Sequence, residues 1–258
     1  MLERERHKAI LSALAEEPVL SAARLMKALD VSAATIRRDI TALAQSGAVR
    51  RVHGGVEALG HAERTHLVGM PFVQRRAVAG GAKRAIARAA AAMLGAGERL
   101  AISGGSTTAY LVEYLSAGRR DILTNSMPVA VGLAGSANRV SLPGGAIYPD
   151  QSMVLSPFTD PVIEHFHADT LLTGCHGLDR NGLMEADPLI VQGLTRLMGC
   201  AERLVLLADS RKLALRSATI VAPLARIAWL VTDSGATDQE LAPLREAGLH
   251  ITVVDPDP

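Results

Sequence analysis

The sequence predicts a chain in two parts, a small basic helical head and a larger α/β domain built on an open, mostly parallel sheet. Three observations predict it. From about residue 80, strand-length apolar runs alternate with segments of helical period, the pattern of a parallel sheet with crossover helices. The first 56 residues instead carry three short helical patterns followed by a Val/Arg alternation that ends in Gly54-Gly55. Charge divides at the same place: residues 1–56 hold nine of the 27 Lys and Arg and six of the 26 Asp and Glu, a net of +3 against −2 for the remainder. A length of 258 residues with 48% hydrophobic content accommodates two domains and their cores.

In the head, Ile10, Leu11 and Leu14 give residues 3–16 a helical stripe that Pro18 is expected to end. Ser21 is placed to cap a helix over 22–29, and Ser32 to cap one running to about Ser46, with Gly47 as its stop. With successive residues 100° apart, Ile36, Ile40 and Leu43 fall within about 60° of one another and form the buried stripe. Ala34, Arg37, Arg38, Thr41 and Gln45 point the other way, with Thr35 at the margin. That outward face is small, polar and cationic, and one helix of this kind fits the major groove of double-stranded DNA. Two helices joined by a short turn, the second one basic, form a helix-turn-helix. Val49-Arg50-Arg51-Val52-His53-Gly54-Gly55 then reads as a wing whose arginines reach phosphates. Asp39 lies toward the buried side and reads as structural, paired with a neighbouring arginine.

The domain expectation is a winged helix-turn-helix over 1–56, a linker over 57–75 and the α/β domain over 76–258. Within that domain, helices are expected at 83–94, 106–116, 128–134, 188–201 and 239–247. Strands are expected at 99–103, 121–124, 139–142, 169–173, 203–208, 227–232 and 251–254. Ligands of such sheets bind beyond the carboxyl ends of the strands. At one such end stands Ser103-Gly104-Gly105-Ser106-Thr107-Thr108, whose glycines, hydroxyls and helix-start amides suit a phosphate. No Gly-Lys-Ser/Thr follows, so it is not the nucleotide P-loop, and the third glycine of the dinucleotide fingerprint is missing. Thr124-Asn125-Ser126 and Leu142-Pro143-Gly144-Gly145 close two further strands. Polar, glycine-rich strand ends converging on one crevice fit a small polyhydroxylated phosphate better than an apolar ligand.

Several classes are excluded. No apolar run approaches the ~20 residues of a membrane span, and MLERERHKAI lacks the apolar stretch of a secretory signal. Two cysteines, Cys175 and Cys200, rule out a disulfide framework and fit a reducing cytoplasm. At 3% aromatic residues, a stacking platform for single strands is unsupported. His165-x-His167 and Cys175-His176 lack the spacing of a metal site, so no metal is expected.

The run SAATIRRDITALAQSGAVRRVHGG resembles the DNA-binding signature of DeoR-family transcriptional regulators. It matches at Ser32, Thr35, Ile36, Arg37, Arg38, Asp39, Leu43, Gly47, Arg51, Val52, His53, Gly54 and Gly55. The resemblance implies DNA contacts from Thr35, Arg37 and Arg38, with Ser32 as cap; Arg50, Arg51 and His53 join them through the wing. GGSTTAYL, TNS, LPGG, Gly174-Cys175-His176-Gly177-Leu178-Asp179 and Ala208-Asp209-Ser210-Arg211-Lys212 resemble that family's sugar-phosphate sensor domain, which is similar in fold to ribose-5-phosphate isomerase. Met70-Pro71-Phe72 with Arg75-Arg76 resembles the segment leading into that domain. By this resemblance Gly104, Gly105, Ser106, Thr107 and Thr108 hold the phosphate, Asn125, Gly144, Gly145, Asp179 and Lys212 line the site, and Lys83 helps neutralise the charge. Three positions depart from the family pattern: Ser103 stands for an acid, Cys175-His176 for a small pair, and Thr195 for a lysine.

The expected protein is therefore a cytoplasmic transcription factor, a repressor of a carbohydrate operon, without cofactor. It binds an operator as a homodimer or homotetramer and answers to a phosphorylated sugar. Two alternatives stand beside it. One is a sugar-phosphate isomerase-like enzyme, which Asp179, Glu185, Asp187 and Asp209 do not match in spacing. The other is a DNA-binding regulator whose sensor site has decayed.

Overall fold

The computed structural model describes residues 3–16, 19–45, 48–52, 55–58, 70–213 and 215–257. The chain divides into two compact units, Met1–Val68 and Gly69–Pro258.

The first unit has helices Glu3–Glu16, Ala22–Leu29 and Ala33–Gln45 and strands β1 (Val19–Ser21), β2 (Val49–Val52) and β3 (Gly55–Ala58). Ser21 Oγ accepts from Arg24 N at 3.2 Å and caps the second helix. That helix stops where Asp30 turns left-handed (φ 51°), a conformation its short polar side chain tolerates, with its N–H returned to Met26 O. Ser32 Oγ accepts from Thr35 N at 3.2 Å and opens the third helix. Ile10, Leu14, Leu20, Leu25, Ile36, Ile40, Leu43, Val49 and Val56 form the core. The wing is wider than the sequence suggested: β3 pairs antiparallel with β2 and also with β1, an element the periodicity did not reveal. A Cβ at Gly55 would stand 2.2 Å from Leu20 O, so this glycine is required by the β1–β3 approach. Ser46, Gly47, His53 and Gly54 lie outside the described residues.

The second unit opens with helices Phe72–Ala77 and Gly80–Ala92. Its strands are β4 (Leu100–Ile102), β5 (Asp121–Thr124), β6 (Arg139–Ser141), β7 (Ala146–Tyr148), β8 (Met153–Leu155) and β9 (Ala168–Thr173). They continue as β10 (Gly177–Asp179), β11 (Gly182–Glu185), β12 (Ala201–Leu207), β13 (Thr219–Ala222), β14 (Trp229–Asp233) and β15 (His250–Val254). Seven form one sheet in the order β15-β14-β12-β9-β4-β5-β6, every pair parallel. β4 is buried along its whole length, as a strand covered on both faces must be. Two apolar clusters fill the sheet's surroundings, one around Leu171, Leu206 and Leu230, the other around Ile86, Ile102 and Leu172.

Several expectations shift. Phe72–Ala77 is helical, with Phe72 buried, and spans the boundary expected between linker and domain at residues 75 and 76. The helix expected at 106–116 is a 3₁₀ turn, Thr108–Leu111, followed by Val112–Leu115. Its first turn is tightened because Thr108 Oγ1 turns back to Ser103 O (2.8 Å) and Gly105 O (3.1 Å). The helix from Pro188 ends at Gly199, and Ala201 already belongs to β12. The β7–β8 hairpin and the β10-β11-β13 sheet are additions.

The domain's start and finish are joined. Asp257 N donates to Gly81 O at 3.2 Å, Arg88 Nη1 lies 2.7 Å from Asp257 Oδ1, and a Cβ at Gly81 would stand 2.2 Å from Asp257 O.

Candidate functional site

In the head, the helix Ala33–Gln45 buries Ile36, Ile40 and Leu43 and leaves Arg37 and Arg38 exposed side by side. Ser32 Oγ sits 2.9 Å from Thr35 Oγ1, so the cap residue and the first polar residue of the outward face are tied together. Beneath them Asp39 is 1% exposed. Its carboxylate takes Arg6 Nε at 2.7 Å and Arg6 Nη2 at 2.9 Å, the planar two-point pairing that guanidinium geometry favours. The bonds from Arg6 hold the Asp39 carboxyl below its usual range. Arg51 is exposed on β2, one register step from Arg50 opposite Glu57, while the Arg50 side chain and His53 lie outside what is described. The unit presents a cationic helix face and a basic strand, which is what backbone and base contacts to a duplex require.

In the second unit, the strand sequence runs outward from β4 to β5 and β6, then resumes at β9 on the opposite side. The order therefore reverses between β4 and β9, and in open α/β sheets the ligand crevice lies at the carboxyl ends flanking that reversal. The loop after β4 is bound into this place. Ser103 N donates to Leu172 O at 3.0 Å, and Thr173 Oγ1 donates to Ser103 Oγ at 3.1 Å. Gly104 N donates to Asn125 Oδ1 at 2.9 Å, linking the loop to the end of β5. A Cβ at Gly104 would meet Met153 Cγ at 2.3 Å, so that position is glycine for the sake of Met153. The turn's first internal bond runs from Ala109 N to Gly105 O, so the preceding amides stand at its open end.

Cations crowd the neighbouring strand ends. Lys83, from the helix Gly80–Ala92, is 1% exposed, and its Nζ donates to Arg75 O. Burial lowers its pKa to about 8, with Asp209 pulling the other way. Asp209, just after β12 and equally buried, accepts Arg211 Nε at 2.8 Å on Oδ1, while Oδ2 is buried with no hydrogen-bond partner. Burial also depresses Lys212, against the pull of Asp209 and Cys175. Asp233, at the end of β14, fixes this loop by accepting Ser210 N (2.7 Å) and Ser210 Oγ (2.9 Å). Burial raises Glu185 and lowers His176, and both feel Lys212 and Arg75.

Of the residues singled out from sequence, the structure brings together Gly104, Gly105, Ser106, Thr107, Thr108 and Asn125 in one loop cluster, and Lys83 with Lys212 around Asp209. Gly144 lines a small cavity with Asn125, and its amide is held by Asp160. At Gly145 (φ 152°) a Cβ would stand 2.5 Å from Leu155 O, so no side chain fits there. Asp179 is engaged elsewhere: it accepts Asn181 N at 2.7 Å in the β10–β11 turn and pairs with Arg216 at 3.3 Å. Thr195 is exposed, its hydroxyl returned to Val191 O. Sequence reasoning missed Arg75 as a group facing this cluster; the basic pair Arg75-Arg76 just before the domain was its signal.

His167, Asp169 and Glu202 bring their side-chain ligand atoms within 4.8 Å of one another. His167 Nε2 lies 3.0 Å from Glu202 Oε1, and Asp169 beside them is held by Arg99 through both oxygens and kept down to about 2. Burial pushes the Cys175 thiol up to about 12, which disfavours a thiolate ligand.

Family models match both units: residues 6–61 match a DeoR-like helix-turn-helix domain, and residues 79–234 match a DeoR C terminal sensor domain. Among curated proteins, the HTH-type transcriptional regulators UlaR of Salmonella newport (strain SL254) and Salmonella heidelberg (strain SL476) are each 30% identical over 252 residues, 97% of this chain and 99% of theirs. Among solved structures, ribose 5-phosphate isomerase A from Methanocaldococcus jannaschii aligns at 14% identity and a TM-score of 0.37, over 50% of this chain and 52% of that one. The Neisseria gonorrhoeae isomerase aligns at 17% identity and 0.36, over the same shares. With both units matched in order and relatives covered from end to end, the chain belongs to the DeoR family of transcriptional regulators, with a DNA-binding helix-turn-helix head and a C-terminal sensor domain.

Proposed function

We propose that the protein is a cytoplasmic repressor of a carbohydrate-metabolism operon, bound to its operator as a symmetric dimer or tetramer and controlled by a phosphorylated sugar. One observation carries the effector reading: the Ser103–Thr108 loop lies at the β4/β9 reversal, tied to Asn125 and Thr173, and the neighbouring strand β12 ends in Asp209, around which buried Lys83 and half-buried Lys212 gather. Amides and hydroxyls suit phosphate oxygens, the lysines suit its charge, and Asn125 suits a sugar hydroxyl. Ser106 and Thr107 are the hydroxyls placed for direct contact, and Thr108 shapes the loop from inside. Gly144 and Gly145 form a rim, and Asp179 acts only through its turn.

On the DNA side, Arg37 and Arg38 supply fixed charges for guanine edges or phosphates, Thr35 a short polar contact, and Ser32 the cap. Arg50, Arg51 and His53 serve the flanking backbone. A single head spans few base pairs, so specificity calls for paired half-sites and a two-fold oligomer. No helix among the described residues is long and apolar enough to cross a membrane.

The reading assigns no turnover, no metal and no cofactor. Regulation requires that the ligand bind the two states of the protein unequally.

The test is a gel-shift titration on DNA upstream of the protein's own gene, with and without aldose and ketose phosphates. The expected result is a specific shift that weakens steeply with salt and is altered by one compound. A salt-independent shift, or none at low salt, overturns the DNA reading. A specific shift indifferent to every compound overturns the effector reading.

A further inference from the structure

A cavity of about 370 Å³ opens at the amino ends of β5 and β6. The parallel strands put it at the opposite end of the sheet from the Ser103–Thr108 loop. Arg119, Arg120 and Arg139 line it together with Asp121 and Asn138, so three guanidinium groups share the space with one carboxylate.

Asn138 brings the two segments together. Its Oδ1 accepts Arg120 N at 3.0 Å, and its Nδ2 donates to Leu115 O and Ser136 Oγ, each at 2.9 Å. Arg139 N donates to Arg120 O at 2.8 Å. The turns that precede β5 and β6 are thereby fastened side by side. Arg120 is anchored at one corner, Nη1 donating to Gly95 O at 2.5 Å and to Glu98 O at 3.4 Å. The side chains of Arg119 and Arg139 meet no hydrogen-bond or ion-pair partner among the described residues. Asp121 is the register partner of Arg139, yet no ion pair joins them. Elsewhere in the domain Arg88, Arg99 and Arg203 each find a carboxylate.

Like charges gathered in a concave space repel one another, and a bound anion removes that cost. Guanidinium groups present planar, permanently charged forks that match phosphoryl oxygens two at a time. Three arginines against one aspartate leave two net charges, the complement of a phosphate monoester near neutral pH. Asn138 is spent on the bonds above, so Asp121 is the acceptor left for a hydroxyl. The volume lies within the range of small-molecule sites.

We infer that this cavity is a second anion site, separate from the effector crevice. It takes the phosphoryl group of a hydroxylated phosphate ester on Arg119, Arg120 and Arg139, and a hydroxyl of the same molecule on Asp121.

The experiment uses the full chain carrying Thr107→Glu, whose added charge blocks the sensor loop. It is titrated by calorimetry at fixed ionic strength with inorganic phosphate, glucose 6-phosphate and glucose. Glucose 6-phosphate should bind at one site per chain, and glucose should not bind. Adding Arg119→Gln and Arg139→Gln should raise the Kd by about tenfold or more. Asp121→Asn should weaken the ester and tighten inorganic phosphate, because it removes an acceptor and a repelling charge together. If the Thr107→Glu chain does not fold, the wild-type chain is titrated, and the paired Gln changes should remove one site. If the paired changes do not fold, Arg119→Gln alone decides. Failure of both phosphates to bind, glucose bound as tightly as its phosphate, or an unchanged Kd in the arginine variants overturns the site. Inorganic phosphate bound as tightly as the ester makes free phosphate the occupant and overturns the part given to Asp121.

Discussion

Arg6 and Asp39, 33 residues apart, meet through two hydrogen bonds of 2.7 and 2.9 Å, and this pair fastens the first helix of the head to the third. Asp39 stands directly after Arg37 and Arg38 in sequence but on the opposite, buried side. The pair therefore fixes the rotation of the helix that presents those two arginines.

Arg6→Ala should destabilise the head by about 2–3 kcal/mol, because it leaves a buried carboxylate short of its charged donor. The bonds from Arg6 lower the Asp39 pKa from its usual 3.8. A lowered carboxylate pKa contributes stability that is present above the unfolded value and lost as pH falls through the folded one. Acid unfolding of wild type and Arg6→Ala should thus converge below about pH 3.8. A constant gap down to low pH would contradict the assignment.

Arg38→Ala should weaken operator binding by about 1–3 kcal/mol if the side chain reads a base. Fluorescence anisotropy on the operator and on a scrambled duplex separates the cases. An equal loss on both duplexes assigns Arg38 to phosphate, and unchanged affinity removes it from the interface.

Thr107→Glu should abolish binding of sugar phosphates at the Ser103–Thr108 loop by placing a carboxylate at its open end, while operator binding persists. Calorimetry beside a gel shift reads both. A retained ligand response would put the site elsewhere.

Lys83 gives a pH dependence of the same sign as Asp39 in an alkaline window, with burial rather than pairing as its cause. Burial brings its pKa from 10.5 to about 8, so the folded protein holds this proton less tightly than the unfolded chain. Between those values the unfolded state binds more protons, and stability rises with pH by up to about 3 kcal/mol for this group. The Tm of wild type minus that of Lys83→Met should climb across this window. Ligand affinity should fall across the start of the same window, as the ammonium loses its charge. A flat Tm difference would sink the argument.

Gly104→Ala should cost about 1–3 kcal/mol by overpacking against Met153, whose Cγ lies 2.3 Å from the added methyl position. In Gly104→Ala/Met153→Ala the two losses should not add, because the second change clears the space required by the first. Additivity in chemical denaturation would show that the loop yields in another direction.

Much of this was legible in the sequence because side-chain chemistry and chain geometry agreed there. Ser21 and Ser32 are caps in the sequence and caps in the structure, since a serine before an apolar stripe has one favourable use. The parallel strands were legible through their apolar runs. The β7–β8 hairpin and the β10-β11-β13 sheet were not, because their strands are three or four residues long and too short for a period to show. The 106–116 segment misled because threonine competes for carbonyls that a regular helix would use, and Thr108 does so twice. Arg75 was hidden because its importance comes from its neighbours in space, Gln151 and Glu185, 76 and 110 positions away in the chain.

The seam between Gly81 and Asp257 has a practical consequence. The strand-side segment around Asp257 braces the helix that carries Lys83 from its far side, through the backbone of Gly81 and the side chain of Arg88. Removing Asp257 would release Arg88 and loosen that helix. Shortened versions of the chain would therefore report on the effector site even though the deletion lies outside it.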